Sequence, residues 1–198
     1  MKFILYISIG ILLLLVIPYL VKTMPLKEIQ KSDRPKEASL APLVNGDLYY
    51  KWHQSEKHKN NGEILVLVHG FTTPSFVWGG VLEYFLEAGF KVLVYDHYGR
   101  GFSDRPRTKY TKEFYVETLK ELLQYLNIEE PVHLLGYSMG GPIIGYFADA
   151  YPKKTRSITL IAPAGFKTNR SGFNPWFIKP IIGEWFWHVF GNRVYGVG

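Results

Sequence analysis

Cysteine is absent from the 198-residue sequence. Disulfide bonds, thiolate nucleophiles and cysteine-ligated metal sites are therefore excluded. Acidic residues are scarce toward the C-terminus, where Glu184 is the only one after Ala150, against seven lysines and arginines in the same stretch. Seven positive charges and one negative charge account for the whole formal net charge of +6. The excess positive charge of the chain is thus confined to its last quarter.

Aromatic residues are interleaved with this basic stretch. The combination favours contact with an anionic membrane surface, although a solvated basic surface would have the same composition. No nucleic-acid-binding motif accompanies the charge, so we expect no nucleic-acid partner. The aromatic residues concerned are Trp176, Phe177, Trp185, Phe186 and Trp187.

The N-terminus contains the longest apolar run of the chain, Phe3 to Val21, between Lys2 and Lys22. About 20 such residues are needed to cross a membrane. No small-x-small cleavage site follows, so residues 1–22 predict an uncleaved single-pass transmembrane anchor rather than a signal peptide or a buried helix. More basic residues follow the run than precede it, which favours a cytoplasmic catalytic domain.

The rest of the chain predicts three segments. Residues 23–44 are polar, contain prolines and show no periodicity, so we expect a linker. Residues 45–165 alternate short apolar runs with helical patterns, which predicts an α/β domain with a mostly parallel sheet. Strands are predicted at Leu48–His53, Ile64–Val68, Val92–Tyr95, from Val132, and as a further buried strand at Ser157–Ile161; helices are predicted at Val77–Ala88, Thr111–Asn127 and Met139–Tyr151.

The sequence Gly136-Tyr137-Ser138-Met139-Gly140 lies between a predicted strand and a predicted helix. A sharp strand-to-helix turn would present the Ser138 hydroxyl to a substrate, and it requires small residues at Gly136 and Gly140. The start of the helix, at Met139, would direct backbone N–H groups toward a developing oxyanion. The alternative is a glycine-rich packing turn without catalytic function.

Two further motifs each follow one of the earlier predicted strands. The first motif is His69-Gly70-Phe71, and the second is the segment from Asp96 to Asp104, which contains Gly-x-Gly-x-Ser. Together with the Ser138 motif, and in this order, they resemble the α/β-hydrolase superfamily, in particular its lipase, esterase and meta-cleavage-product hydrolase branch. The resemblance covers about residues 45–164. It implies the N-terminal portion of an α/β-hydrolase sheet, with helices on both faces.

The resemblance also implies site residues. Ser138 would be the nucleophile, and the backbone N–H groups of Phe71 and Met139 would form the oxyanion hole. His69 and Gly70 would shape the oxyanion turn. In the loop that follows the next strand, Arg100 and Asp104 are expected to brace the backbone, with substrate contact as the alternative.

The catalytic acid and base are the missing parts of the pattern. A serine nucleophile needs a histidine base and an acid that orients it, and in the family both follow the serine on later strands. After Ser138 the sequence offers only Asp149, Glu184 and His188, so the chain resembles a C-terminally incomplete domain. His97 and His133 precede the serine and are not expected as bases. Residues 166–198 resemble the start of the family's cap, where Glu184 and His188 would be ordinary cap residues or an improvised dyad.

These expectations combine into one functional prediction. The sequence predicts a membrane-anchored serine hydrolase of carboxylic esters, with monoacylglycerol-like lipids as candidate substrates and an acyl-enzyme at Ser138. No metal or organic cofactor is expected. The alternative is a catalytically inactive membrane protein of the same fold that binds a lipid or a partner, because the acid and the histidine are missing.

Overall fold

A computed structural model describes residues 2–23, 29, 31–57, 61–165 and 185. The chain divides into two units, Met1–Glu28 with Lys167–Gly198, and Ile29–Phe166. In the first unit, helix α1 spans Lys2–Thr23, and the Trp185 indole N–H donates to the carbonyl oxygen of Leu15 (2.6 Å). Within the described ranges, no helix is both long and apolar enough to cross a membrane. The transmembrane anchor predicted over residues 1–22 is therefore not confirmed.

The second unit contains a six-stranded sheet. The strands are β1 (Ser39–Leu43), β2 (Gly46–His53), β3 (Ile64–Val68), β4 (Lys91–Tyr95), β5 (Val132–Tyr137) and β6 (Thr155–Ile161). Their order in the sheet is β1-β2-β4-β3-β5-β6. The first two strands are antiparallel to each other, and β2 is antiparallel to β4, whereas the three remaining pairings are parallel. The predicted mostly parallel α/β sheet is confirmed.

Strand β1 lies inside the range predicted as a linker, 23–44, so the sheet begins earlier than the sequence indicates. Its pairing partner β2 follows a two-residue turn, with Leu43 opposite Gly46. Proline at position 42 obscured the strand in the sequence, because proline cannot donate to a sheet ladder. It is tolerated here because β1 lies at the edge of the described sheet.

Helices cover both faces of the sheet. Helix α3 (Lys112–Tyr125) begins after Thr111, whose side chain accepts a hydrogen bond from the Phe114 N–H (3.3 Å), and α4 (Gly140–Ala150) follows β5. The helix predicted over Val77–Ala88 is instead a 3-10 helix at Ser75–Gly80 followed by a short α2 at Leu82–Glu87. The pair Gly79-Gly80 falls at the break, where two residues of low helix propensity interrupt the pattern.

Two apolar layers hold these elements together, one on each face of the sheet. The larger layer packs α3 and α4 against one face through fully buried residues such as Leu119, Leu122, Ile144 and Phe147. The smaller layer packs the 3-10 helix and α2 against the other face around Trp78. Burial of each such side chain contributes about 1.5–3 kcal/mol before conformational entropy is counted.

Strand β6 forms where the sequence predicts a strand, but its apolar run is not covered by further strands within the described residues. It is the last strand of the described sheet, and Ile158, Leu160 and Ile161 each remain about two-fifths exposed. Its apolar residues therefore form an exposed sheet edge. Residues 166–198, predicted as the start of a cap, lie outside the described residues apart from Trp185.

Candidate active site

The turn between β5 and α4 has the geometry that the Ser138 motif predicts. Ser138 has a backbone φ of 50°, a left-handed value that is uncommon for residues other than glycine. A β-carbon added to Gly136 would lie 2.5 Å from the carbonyl oxygen of Gly140, closer than real contacts allow. The turn therefore excludes a side chain at Gly136 and holds the serine in a strained conformation of the kind found at functional sites.

Gly70 brings the loop after β3 directly beside the serine. A β-carbon on Gly70 would lie 3.2 Å from the β-carbon of Ser138 and 3.3 Å from the ring of Tyr137. Met139, the residue before α4, has helical backbone angles and stands at the start of the helix. The structure thus brings the predicted nucleophile together with the predicted oxyanion turn and the N-terminus of α4.

The backbone of Ser138 is held on both sides by residues that the sequence analysis missed. Its N–H donates to the carbonyl oxygen of Ile161 at the end of β6 (3.0 Å). Its carbonyl oxygen accepts from the N–H groups of Gly141 (3.1 Å) and Ala164 (2.9 Å). The turn between Ile161 and Ala164 contains Ala162 at a φ of 42°. The sequence does not mark Ala162 as the left-handed residue of this turn, because alanine does not favour positive φ.

The hydrogen bonds of His69 define its tautomer. Its Nε2 accepts from the backbone N–H of His97 (2.9 Å). The proton of the neutral ring therefore lies on Nδ1, which donates to the carbonyl oxygen of Gly70 (2.7 Å). In a trans peptide the carbonyl and the N–H point in opposite directions, and the N–H of this peptide belongs to Phe71. His69 thus orients the N–H group that is predicted to stabilise an oxyanion.

His97 completes a buried histidine pair. Its Nε2 donates to the carbonyl oxygen of His69 (3.1 Å), and the two ring centroids are 4.2 Å apart. Burial lowers the pKa of His69, and it lowers the pKa of His97 well below the usual value, with the neighbouring His69 and Arg100 adding to the shift. Both rings are therefore neutral near pH 7. His97 precedes the serine in the sequence and is not predicted as a base; in the structure it makes two hydrogen bonds to His69.

The loop after β4 is attached to its surroundings by Asp96, which is almost fully buried. One carboxylate oxygen of Asp96 accepts from the N–H of Ser75 (2.7 Å), and the other accepts from the N–H of Phe102 (2.9 Å). The hydroxyl of Ser103 donates to the Asp96 carbonyl oxygen (2.6 Å). The polar residues of this motif thus connect the loop after β4 to the segment after β3.

The structure also places the two residues predicted to brace this loop. Asp104 accepts from Arg34 (2.5 Å), and its second carboxylate oxygen accepts from the backbone N–H of Asp47 (2.7 Å). Arg100 reaches the neighbouring loop, where its Nε donates to the carbonyl oxygen of Phe71 (2.6 Å). Asp104 therefore connects the loop after β4 to Arg34 and to the start of β2, and Arg100 connects the same loop to the oxyanion turn.

The remaining candidate bases do not approach Ser138 within the described residues. His133 lies near the start of β5, where its Nδ1 is 2.7 Å from the Ser157 hydroxyl and its Nε2 is 3.3 Å from Glu63. The rise of a strand separates His133 from the serine by roughly 15 Å. Residues 139–165 contain Asp149 but no histidine. Glu184 and His188 lie outside the described residues.

The assembled groups suit the chemistry of acyl transfer. They present a serine hydroxyl on a strained turn, beside an oriented backbone N–H and the start of a helix. Within the described part of the chain, no group of three or more histidines and acids is placed to bind a metal ion. A proton acceptor for the serine is the component that the described residues do not supply.

Comparisons with known proteins agree with this arrangement. A family model described as the alpha/beta hydrolase fold matches residues 63–182. Lipase 1 of Psychrobacter immobilis is 34% identical over 145 residues, which cover 70% of this chain and 42% of the lipase. An esterase of Exiguobacterium antarcticum superposes with a TM-score of 0.57 at 26% identity, covering 64% of this chain and 46% of the esterase.

A monoacylglycerol lipase of Paleococcus ferrophilus superposes with a TM-score of 0.53 at 27% identity, covering 63% of this chain and 46% of that protein. The chain therefore spans a little under half the length of these relatives. The match of the family model to well over half of the chain agrees with the sheet order, the Ser138 turn and the His69–Gly70 turn. The chain belongs to the alpha/beta hydrolase fold family.

Proposed function

We propose that the protein is a serine hydrolase of carboxylic esters that forms an acyl-enzyme at Ser138. The observation that carries this proposal is the position of Ser138, at a φ of 50° between β5 and α4, with Gly70 in contact beside it. The lipase and esterase relatives support the choice of an ester as the substrate class.

The proposed reaction proceeds in two steps. The Ser138 hydroxyl oxygen attacks the ester carbonyl carbon while a base takes its proton, and the oxyanion is stabilised by the N–H groups of Phe71 and Met139. The C–O bond to the alcohol then breaks, and the alcohol leaves with that proton. Water hydrolyses the resulting acyl-serine by the same route and releases the carboxylic acid. We assign the base and its acid partner to a part of the protein outside the described residues.

For the substrate, we propose a monoacylglycerol-like lipid ester. Exposed apolar side chains in the segment after β3 support this choice, because Phe71 is about half exposed and Phe76, on the 3-10 helix after the oxyanion turn, is largely exposed. Ligand sites are lined mostly by apolar side chains, which suits an acyl chain. The monoacylglycerol lipase among the relatives is consistent with it.

We also propose that the N-terminal segment associates with a membrane and leaves the catalytic unit on the cytoplasmic side. The support is the apolar run Phe3–Val21 and the excess of basic residues after it. The described side chains of α1 are mostly exposed, for example Leu14 at 72%. Such a surface requires an apolar environment to cover it.

The second candidate is an inactive protein of the same fold that binds a lipid or a partner. Its support is that the described residues bring no proton acceptor to Ser138. The two candidates differ in the reactivity of the serine: an enzyme has an activated hydroxyl, and a binding protein does not.

A fluorophosphonate probe tests the first candidate on the protein expressed from its full reading frame. We expect labelling of the wild-type protein and none of Ser138→Ala. Ser157→Ala is the matched control, because the Ser157 hydroxyl also contacts a histidine, at 2.7 Å. Equal labelling of wild type and Ser138→Ala would refute the nucleophile, and a folded wild-type protein that resists the probe and hydrolyses no ester would favour the binding protein.

A further inference from the structure

The loop from Phe71 to Ser75 is attached to the loop after β4 at both of its ends. At the far end, the N–H of Ser75 donates to the Asp96 carboxylate (2.7 Å). At the near end, the Phe71 carbonyl oxygen accepts from Nε of Arg100 (2.6 Å). The segment that carries the proposed oxyanion donor is therefore held by side chains from the loop after β4.

Arg100 makes two separate contacts with Phe71. Besides the hydrogen bond to the carbonyl oxygen, its guanidinium carbon lies 4.3 Å from the centre of the phenylalanine ring. A second guanidinium nitrogen donates to the carbonyl oxygen of Gly99 (2.8 Å), and the Arg100 N–H donates to the carbonyl oxygen of His97 (3.0 Å). The arginine is thus fixed on its own loop and contacts both the backbone and the ring of Phe71.

The peptides on the two sides of Phe71 have different supports. His69 holds the peptide before it through the Gly70 carbonyl oxygen (2.7 Å), and Arg100 holds the peptide after it. The direction of the Phe71 N–H depends on both, because a rotation about the backbone of Phe71 would move one peptide relative to the other. Removal of either support therefore weakens the control over the direction of this N–H.

We infer that Arg100 is a positioning residue for the oxyanion hole, which acts through Phe71 and does not touch the reacting atoms. The inference rests on the proposed function. An arginine suits this role better than a lysine. Its planar fork can donate to two carbonyl oxygens while its face lies over the ring, whereas a lysine ammonium group offers a point charge without that geometry.

The test compares an oxygen ester with the corresponding thionoester, in the protein expressed from its full reading frame. Sulfur is a weak hydrogen-bond acceptor, so hydrolysis of the thionoester depends little on the oxyanion hole. We expect Arg100→Met to lower kcat for the oxygen ester by about 10- to 100-fold. This decrease is no larger than the decrease in kcat caused by removing a whole oxyanion donor. KM should change by less than about twofold, and the thionoester rate should fall much less than the oxygen-ester rate.

Two variants make this comparison specific. Arg100→Lys should recover only part of the lost rate, since it keeps the charge but not the fork. Arg105→Met is the matched control, because Arg105 lies on the same loop and its described contact is a long one, 3.4 Å to the Gly101 carbonyl oxygen. It should match the wild-type protein on both substrates.

Hydrogen exchange of residues 70–75 supplies a measurement that does not depend on turnover. Exchange in this segment should be faster in Arg100→Met than in the wild-type protein, and unchanged in Arg105→Met. Two results would overturn the inference: an equal loss of kcat on both esters in Arg100→Met, or wild-type rates and wild-type hydrogen exchange in that variant. In either case, probe labelling of Ser138 would leave the proposed function intact. A wild-type protein that neither labels at Ser138 nor hydrolyses either ester would overturn the proposed function and this inference with it.

Discussion

The α-carbon of Gly140 lies against the carbonyl group of Val68, at the point where α4 begins beside the end of β3. A β-carbon on Gly140 would stand 2.8 Å from the carbonyl carbon of Val68 and 2.9 Å from the carbonyl oxygen of His69, and closer still to the Val68 oxygen. This contact sets how near the Ser138 turn approaches the His69–Gly70 turn. The backbone cannot yield here, because β3 is a central strand of the sheet.

Gly140→Ala should therefore destabilise the protein and reduce probe labelling of Ser138. We expect a loss of about 1–3 kcal/mol in the free energy of unfolding, the range for overpacking a well-packed site. Gly145→Ala is the control, because Gly145 lies in the same helix with open space around its α-carbon. It should gain about 0.5–1 kcal/mol from higher helix propensity. Urea unfolding measures both, and an unchanged stability of Gly140→Ala would contradict the close approach.

The neutral His69–His97 pair predicts a dependence of stability on pH. Both pKa values are lowered in the folded protein, so below pH about 6.5 the unfolded chain binds protons that the folded chain does not. Stability should therefore be constant above about pH 6.5 and fall as the pH decreases below it. The decrease is at most about 1.4 kcal/mol per pH unit for each histidine.

The measurement is urea unfolding between pH 7.5 and pH 5, at intervals of about half a pH unit, in the range where the unfolded histidine titrates. His97→Gln should be less stable at neutral pH and should show a smaller decline with acid. His133→Gln leaves the buried pair in place and is the control for the loss of a histidine outside it. A His97→Gln protein with the full acid dependence would show that the pair does not cause it.

The turn after β6 gives a prediction about the Ser138 backbone. Ala162 has a φ of 42°, and the N–H of Ala164, two residues later, donates to the Ser138 carbonyl oxygen (2.9 Å). Ala162→Val should lower the free energy of unfolding by about 1–3 kcal/mol and slow the labelling of Ser138, because a β-branched residue disfavours positive φ. Ala162→Gly should retain labelling, since glycine adopts this conformation without strain. Equal labelling rates for the two variants would show that the turn does not support the serine.

Membrane association is tested by fractionation of cells that express the full reading frame. The apolar run Phe3–Val21 predicts that the protein stays in the membrane pellet after alkaline carbonate extraction. Deletion of residues 1–22 should release it, apart from a salt-sensitive attachment through the basic and aromatic C-terminal stretch. Release of the intact protein by carbonate, or a mature N-terminus located after Val21, would contradict the anchor.

Some features of the site could be predicted because their signals are local. The Ser138 turn requires two glycines within five residues, and its strand and helix have distinct periodicities on either side. Other predictions failed where the signal was local but misleading. Pro42 concealed an edge strand, and the apolar pattern over Val77–Ala88 concealed a break at Gly79-Gly80.

The sequence by itself determined the alternation of strands and helices after residue 45, the turn at Ser138 and the family, because each depends on residues that are close together in the chain. The tertiary structure alone decided which distant groups support that turn. Arg100 meets Phe71 across 29 residues, His97 meets His69 across 28, and the Ala164 N–H meets the Ser138 carbonyl oxygen. Parallel strands place their carboxyl ends at one edge of the sheet. The register and the loop shapes that set these contacts arise only once the strands have paired and packed.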